Sequence, residues 1–141
     1  MNIYADKPIL VPIDFSDEAD RALDAALDIA NSADLITMVH VAPPMSEFEP
    51  AFIYLVDDEG RREQISLAAQ KRYAATKYRG VHCEVMFGDP GHEIAKFAKE
   101  MHAGLIVMPS HGRTGLSHIL IGSVAERVVR LANCPVLVLR S

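Results

Sequence analysis

Short apolar segments alternate with amphipathic segments along the whole chain, and this alternation limits the possible folds more than any other feature of the sequence. Apolar residues dominate five segments that we predict to be buried strands: 9–13, 35–41, 81–87, 105–108 and 135–139. Between these segments apolar residues recur three or four positions apart, as on one face of a helix; the clearest series is Ala19, Ala22, Leu23, Ala26 and Leu27. The alternation predicts an α/β fold in which helices cover both faces of an open parallel sheet.

The size and composition of the chain predict a single domain over residues 1–141. A chain of this length can bury a core without metal or disulfide support, and half of its residues are hydrophobic. No apolar segment approaches the roughly 20 residues that cross a membrane, and the N-terminus lacks the layout of a signal peptide. We therefore expect a cytoplasmic protein that binds no membrane.

The net charge argues against a nucleic-acid-binding protein, and the spacing of the cysteines and histidines argues against a metal-binding protein. A net charge of −5 argues against a nucleic-acid partner. Residues 61–141 carry twelve basic residues and residues 1–60 carry two, so a phosphate ligand is expected to meet the second half of the chain. Cys83 and Cys134 lie far apart in sequence, and the six histidines show no metal-binding spacing, so we expect no dedicated metal site.

The segment after the fourth predicted strand can bind phosphate. It runs Met108-Pro109-Ser110-His111-Gly112-Arg113-Thr114-Gly115 and leads to Gly122-Ser123 at the start of a predicted helix. Glycines let backbone N–H groups approach a phosphate, and a helix start adds unpaired donors. Arg113 can donate to phosphate oxygens, and the Ser123 hydroxyl can donate to another or reach a bound metal. By spacing alone, a plain turn followed by an ordinary helix cap explains the same residues.

The chain resembles the universal stress protein family along nearly its whole length. The resemblance lies in ILVPIDFS at the first strand, GDPGHEI opening the third predicted helix and SHGRTGLSHILIGSVAERVVRLANCPVLVL at the end. ATP-binding members carry Gly-x2-Gly-x9-Gly-Ser/Thr; here Gly112 is the second glycine and Gly122-Ser123 closes the motif, but Pro109 replaces the first glycine. Proline lacks a backbone N–H, so a contact near the ribose or phosphates is lost or reshaped.

The resemblance implies a Rossmann-like five-stranded sheet of order 3-2-1-4-5, a homodimer paired through the fifth strand from Val136 to Leu139, and ATP across strands one and four. Carried over by position, the adenosine contacts are Pro12, Asp14 and Val41; the ribose and phosphate contacts are Met108, Pro109, Ser110, His111, Gly112, Arg113 and Gly115; the contacts to the phosphate tail are Gly122, Ser123 and Val124. Mg²⁺ would be bound by the phosphates, with the Ser123 hydroxyl as a candidate ligand. In the structural alternative, Asp14 only caps the first helix and Val41 is plain core.

The leading functional hypothesis is a homodimeric ATP-binding module that regulates the stress response. AMP and ADP are the alternative ligands. Two alternatives stay open: a nucleotide-free dimeric stress scaffold, and a slow ATPase or autophosphorylating protein with His111 as its candidate general base. The sequence lacks the P-loop pattern and the G-x-G-x-x-G of dinucleotide folds, and no acid-then-histidine order follows Ser110 as in an α/β-hydrolase. We therefore favour binding over catalysis.

Residues 42–60 form the longest segment without a clear strand or helix pattern, and three of them are prolines. Loops beyond about 12–15 residues in compact domains often act as lids or binding surfaces. The segment is therefore either a lid or partner surface, or an extra helical turn packed on the body of the domain.

Overall fold

The computed structural model describes residues 1–44, 57–112 and 120–140. Its strands are β1 (Ile9–Pro12), β2 (Ile36–Ala42), β3 (His82–Phe87), β4 (Leu105–Pro109) and β5 (Val136–Leu139). All neighbouring strands pair in parallel, in the order β3-β2-β1-β4-β5. The predicted fold class and strand order are confirmed, and every strand ends within one residue of its predicted limits.

Helices lie on both faces of this sheet. Those in the described part of the chain are α1 (Asp17–Ile29), α2 (Asp58–Arg72), α3 (Pro90–Glu100) and α4 (Ser123–Leu131). Ile9 and Val11 of β1 pack in the core formed with α1 and α2, whereas Leu10 packs in the core formed with α3 and α4. Every residue of β1 and β4 is buried, because helices cover these strands on both sides. None of the helices described here is long and apolar enough to cross a membrane.

The first helix has the apolar face that the sequence predicts. Ser16 is the N-cap, and its Oγ accepts a hydrogen bond from the Ala19 N–H at 3.1 Å. Acidic residues fill the first turn, where the helix dipole favours negative charge. Of the predicted inward residues, Ala19, Ala22, Leu23 and Ala26 are buried and Leu27 is half-buried. Pro12, just before this turn, is the last residue of β1, and the Ile13 N–H continues the pairing by donating to the Val39 carbonyl at 2.8 Å.

The predicted long loop is shorter than expected at both ends. Ala42 is the last residue of β2, and residues 58–60 are the first turn of α2. The helix begins there because the Asp57 side chain accepts a hydrogen bond from the Gly60 N–H at 2.7 Å. Residues 45–56 lie outside the described residues, so the lid or partner surface over 42–60 stays a prediction.

A hydrogen-bonded cluster holds the end of α2 against the start of α1. Arg72 donates from Nε and Nη2 to the two Asp20 oxygens, at 3.0 and 2.6 Å, and the Tyr73 hydroxyl donates to Asp20 Oδ1 at 2.7 Å. Burial by itself raises the pKa of Asp20, but the hydrogen bonds from Arg72 and Tyr73 outweigh burial and hold that pKa below its usual value. The ionised carboxylate therefore stabilises the folded state.

This cluster predicts a pH-dependent loss of stability. Near neutral pH, Asp20→Asn should lower the free energy of unfolding by about 1 kcal/mol, because it weakens charge-assisted hydrogen bonds at a partly solvated site. The Asp20 contribution is present above the unfolded-state pKa and is lost as pH falls through the lower folded-state pKa. The deficit of the variant should therefore shrink once the pH falls below 3.8, the ordinary pKa of the group.

Urea unfolding near neutral pH and at about pH 3 measures the deficit. Asp28→Asn is the matched control, since Asp28 is an exposed aspartate on the same helix and makes no ion pair with the described residues. An equal deficit for Asp20→Asn at both pH values would contradict the electrostatic account.

Candidate functional site

A cavity of about 550 Å³ opens at the carboxyl ends of β1, β2 and β4. Strand β1 is the point at which the chain order reverses, because β2 lies on one side of it and β4 on the other. Open α/β sheets bind ligands in the crevice at such a point. The cavity is therefore where a sheet of this topology would hold a small molecule.

Most of the predicted site residues line this cavity. The eleven that do so are Pro12, Asp14, Val41, Met108, Pro109, Ser110, His111, Gly112, Gly122, Ser123 and Val124. Arg113 and Gly115 lie outside the described residues. The two segments that the sequence analysis joined, one after β1 and one after β4, thus meet around one cavity.

The lining also includes residues that the sequence analysis missed. These are Ile13, Val39, His40, Pro90, Ile94, Ile121, Ala125 and Glu126. Two of them carried a usable signal: Val39 is two residues from Val41 and so shares its face of β2, and Ile94 belongs to the inward stripe of α3. With Pro12 and Met108, these side chains make one wall of the cavity apolar.

The turn between β1 and α1 fixes the position of Asp14. Its Oδ1 accepts hydrogen bonds from both the N–H, at 3.1 Å, and the hydroxyl of Ser16, the residue that caps α1. Phe15, between them, has a positive φ of 64°, and its ring packs against that of His40 at a tilt of 54°, with the ring centroids 5.0 Å apart. Asp14 therefore supports the helix cap, although Ser16 and not Asp14 is the cap itself.

The other carboxylate oxygen of Asp14 faces the loop after β4. A Cβ added at Gly112 would lie 2.9 Å from Asp14 Oδ2, closer than side-chain carbons approach. A side chain at position 112 would therefore displace the Asp14 carboxylate, whose other oxygen is held by Ser16. This contact joins the two halves of the cavity wall.

The start of α4 is held against the end of β4 by backbone hydrogen bonds. The Ser110 N–H donates to the Leu139 carbonyl at 2.8 Å, and the Gly122 N–H donates to the Ser110 carbonyl at 2.5 Å. A Cβ at Gly122 would lie 3.0 Å from the Ser110 oxygen, so a side chain would separate the two segments. Gly122 is the N-cap and supplies no side-chain cap. The first-turn N–H groups of α4 therefore have no acceptor within the helix and lie at its positive end, beside the cavity.

His111 supplies a polar atom that needs a partner. Its Nδ1 lies 3.1 Å from Ser110 Oγ, in hydrogen-bond contact. Its Nε2 is buried and has no hydrogen-bond partner among the described residues. A buried polar atom of this kind costs free energy unless something pairs with it.

The charged groups of the lining are acidic. Asp14 and Glu126 line the cavity, and no lysine or arginine does so within the ranges that the structure describes. Glu126 also pairs with Arg130 one turn along α4, Nε to Oε1 at 3.1 Å. Across the same ranges, no group of three or more His, Cys, Asp or Glu side chains could hold a metal ion. Apart from these two carboxylates, the cavity has an apolar wall and the positive end of α4. The apolar wall suits a ring system, and the end of α4 suits an anionic group.

Comparisons with known proteins all lead to one protein family. The model of the universal stress protein family matches residues 6–140. The chain is 39% identical to universal stress protein MJ0531 of Methanocaldococcus jannaschii over 147 aligned positions, covering 99% of this chain and 84% of that protein.

Two solved structures are similar to this one and hold nucleotides. A universal stress protein in complex with cAMP is 26% identical with a TM-score of 0.66, covering 95% of this chain and 97% of that one. The universal stress protein of Archaeoglobus fulgidus in complex with dAMP is 28% identical with a TM-score of 0.60, covering 95% of this chain and 98% of that one.

Proposed function

This chain belongs to the universal stress protein family, and we propose that it is a cytoplasmic regulatory module that binds an adenine nucleotide in the cavity between β1 and β4. The observation that carries the proposal is the composition of the cavity, an apolar wall beside the open N-terminus of a helix. ATP is the nucleotide that the Gly112 and Gly122-Ser123 motif indicates. Similar proteins that hold cAMP and dAMP support the adenine part of the proposal.

The apolar wall fits the adenine ring. Pro12, Val39 and Val41 lie on the β1 and β2 side, and Met108 lies on the β4 side. Small-molecule sites are mostly apolar, with a few polar groups that fix orientation. In this proposal Asp14, at the mouth of the same wall, contacts the adenosine.

The N-terminus of α4 fits the phosphate end. Gly122, Ser123 and Val124 line the cavity, and the first-turn N–H groups donate to an anion without competition from a capping side chain. His111 also lines the cavity, and its Nδ1 is in hydrogen-bond contact with Ser110 Oγ at 3.1 Å. Mg²⁺ would be held mainly by the phosphates, with the Ser123 hydroxyl as its contact on the protein, since no described cluster of ligands could hold it.

Gly112→Val tests the proposal by placing a side chain where the two halves of the cavity wall meet. Its side chain would take the space of the Asp14 carboxylate, 2.9 Å away, and separate the two halves of the site. We expect affinity for ATP and AMP to fall at least about tenfold, measured by isothermal titration calorimetry with Mg²⁺. Ala75→Val is the control, because it also introduces a valine but at an exposed, extended position outside the lining.

Two results would contradict nucleotide binding at this site. One is the absence of heat with the wild-type protein at about 100 µM. The other is unchanged affinity of a folded Gly112→Val variant, with folding checked by circular dichroism. Equal losses of nucleotide affinity in Gly112→Val and Ala75→Val would likewise contradict binding in this cavity.

We also propose that the protein is a homodimer paired through β5. This strand is at the edge of the sheet, and in the described chain β4 is its one neighbour. Pro135 and Leu139 direct their carbonyls to β4, so the alternate residues Val136 and Val138 direct their backbone groups to the open edge. An unpaired apolar edge is prone to pair with another chain.

Val138→Pro tests this pairing. Proline removes an edge N–H and leaves the hydrogen bonds to β4 in place, because those come from the alternate residues. Light scattering should give the mass of two 15.5 kDa chains for the wild type and for the Val138→Ala control, and of one chain for Val138→Pro. A monomeric wild type, or a folded Val138→Pro dimer, would contradict pairing through β5.

A further inference from the structure

The ring of His40 lies against the turn that carries Asp14. Val39 and Val41 pack in the core on the side of the sheet that α3 and α4 cover. Because side chains alternate along a strand, the His40 ring is on the opposite side of β2. There it packs against the ring of Phe15, with the ring centroids 5.0 Å apart. His40 therefore supports the turn from behind the valine side chains of the cavity wall.

His40 donates a hydrogen bond to the main chain of this turn. Its Nδ1 lies 2.8 Å from the Ile13 carbonyl oxygen. A carbonyl oxygen only accepts, so Nδ1 is the ring nitrogen that carries the proton in this contact. The Ile13 N–H in turn donates to the Val39 carbonyl at 2.8 Å. Both polar groups of the Ile13 main chain are therefore bound to two consecutive residues of β2.

The turn needs such support because its backbone conformation is unfavourable. Phe15 has a φ of 64°, in the left-handed region that residues with a side chain rarely adopt. Conformations of this kind persist where the surrounding contacts fix them. The Nδ1 hydrogen bond fixes Ile13, on one side of Asp14, and the His40 ring contacts Phe15 on the other. One side chain thus holds both neighbours of Asp14 in the chain.

The direction of the Asp14 carboxylate depends on the main chain around it. Oδ1 accepts hydrogen bonds from the N–H and the hydroxyl of Ser16, and Oδ2 faces Gly112 on the other half of the cavity wall. A shift of the Ile13 carbonyl would move Asp14 as well, because the two residues are adjacent. Hydrogen bonds weaken steeply as their geometry worsens, so such a shift would weaken a contact from Asp14 to a ligand.

We propose that His40 is a positioning residue for nucleotide binding: its Nδ1 donor holds the turn so that the Asp14 carboxylate meets the adenosine. The inference rests on the proposed function and deepens it, because it adds a residue that acts on the ligand through Asp14.

Two substitutions separate the hydrogen bond from the ring. His40→Phe keeps an aromatic ring against Phe15 and removes the donor, whereas His40→Asn keeps a donor near the place of Nδ1 and removes the ring. By isothermal titration calorimetry we expect His40→Phe to weaken AMP binding about fivefold, and His40→Asn to stay within about twofold of the wild type. His82→Phe is the matched control, since His82 is exposed on β3 and lies outside the lining.

A double-mutant cycle tests whether His40 acts through Asp14. In an Asp14→Ala background, His40→Phe should change the affinity for AMP by less than about twofold, because the carboxylate that it positions is gone. A general loss of stability would instead weaken binding equally in both backgrounds. Long-range ¹H–¹⁵N NMR at about pH 8, where an imidazole is ordinarily neutral, should show the His40 proton on Nδ1.

The outcomes separate the inference from the function on which it rests. Wild-type affinity for AMP in a folded His40→Phe variant overturns the inference and leaves nucleotide binding intact. Equal losses in His40→Phe and His40→Asn, equal losses in both backgrounds, or a His40 proton on Nε2 overturn it as well. Failure of the wild type to bind any adenine nucleotide removes the proposed function, and the inference falls with it.

Discussion

The main chain of Ser110 is the junction on which the site depends. Its N–H is bound to β5 through the Leu139 carbonyl, and its carbonyl accepts the Gly122 N–H at the start of α4. Ser110 is 2% exposed, so both hydrogen bonds are shielded from water. They bring the positive end of α4 to the carboxyl ends of β1 and β4. Gly122 permits this close approach, because a Cβ there would lie 3.0 Å from the Ser110 oxygen and would push the two segments apart.

The opposite wall depends on a second junction, around Asp14. One of its oxygens holds Ser16, the cap of α1, and the other lies against Gly112 of the loop after β4. The position of α1 is fixed in turn by the hydrogen bonds from Arg72 and Tyr73 to Asp20 in its first turn. The cavity wall is therefore continuous with the packing of α1 and α2. Stability and ligand binding share these contacts, and variants near Asp14 must be checked for both.

The sequence predicts the centre of the sheet well, because β1 and β4 are buried on both faces and so appear as continuous apolar segments. The alternation of strands and helices, together with the family resemblance, predicts the strand order and brings Asp14 and Gly112 to one place. The Asp20, Arg72 and Tyr73 cluster joins residues more than fifty positions apart, so no local pattern predicts it. No local pattern places Pro90 and Glu126 in the cavity lining either. Pro109 is visible in the sequence as a motif departure, but only the structure shows that it is the last residue of β4 and lines the cavity.

The central claim is that an adenine nucleotide occupies the cavity between β1 and β4. Heteronuclear NMR of the ¹⁵N-labelled protein, titrated with AMP, tests this claim most directly, because it reports on each backbone amide. We predict saturable shifts at Asp14, Val41, Gly112, Ser123 and Val124, with the amides of α2 unchanged. Spectra that stay unchanged at millimolar AMP, or shifts centred away from these residues, would contradict the account.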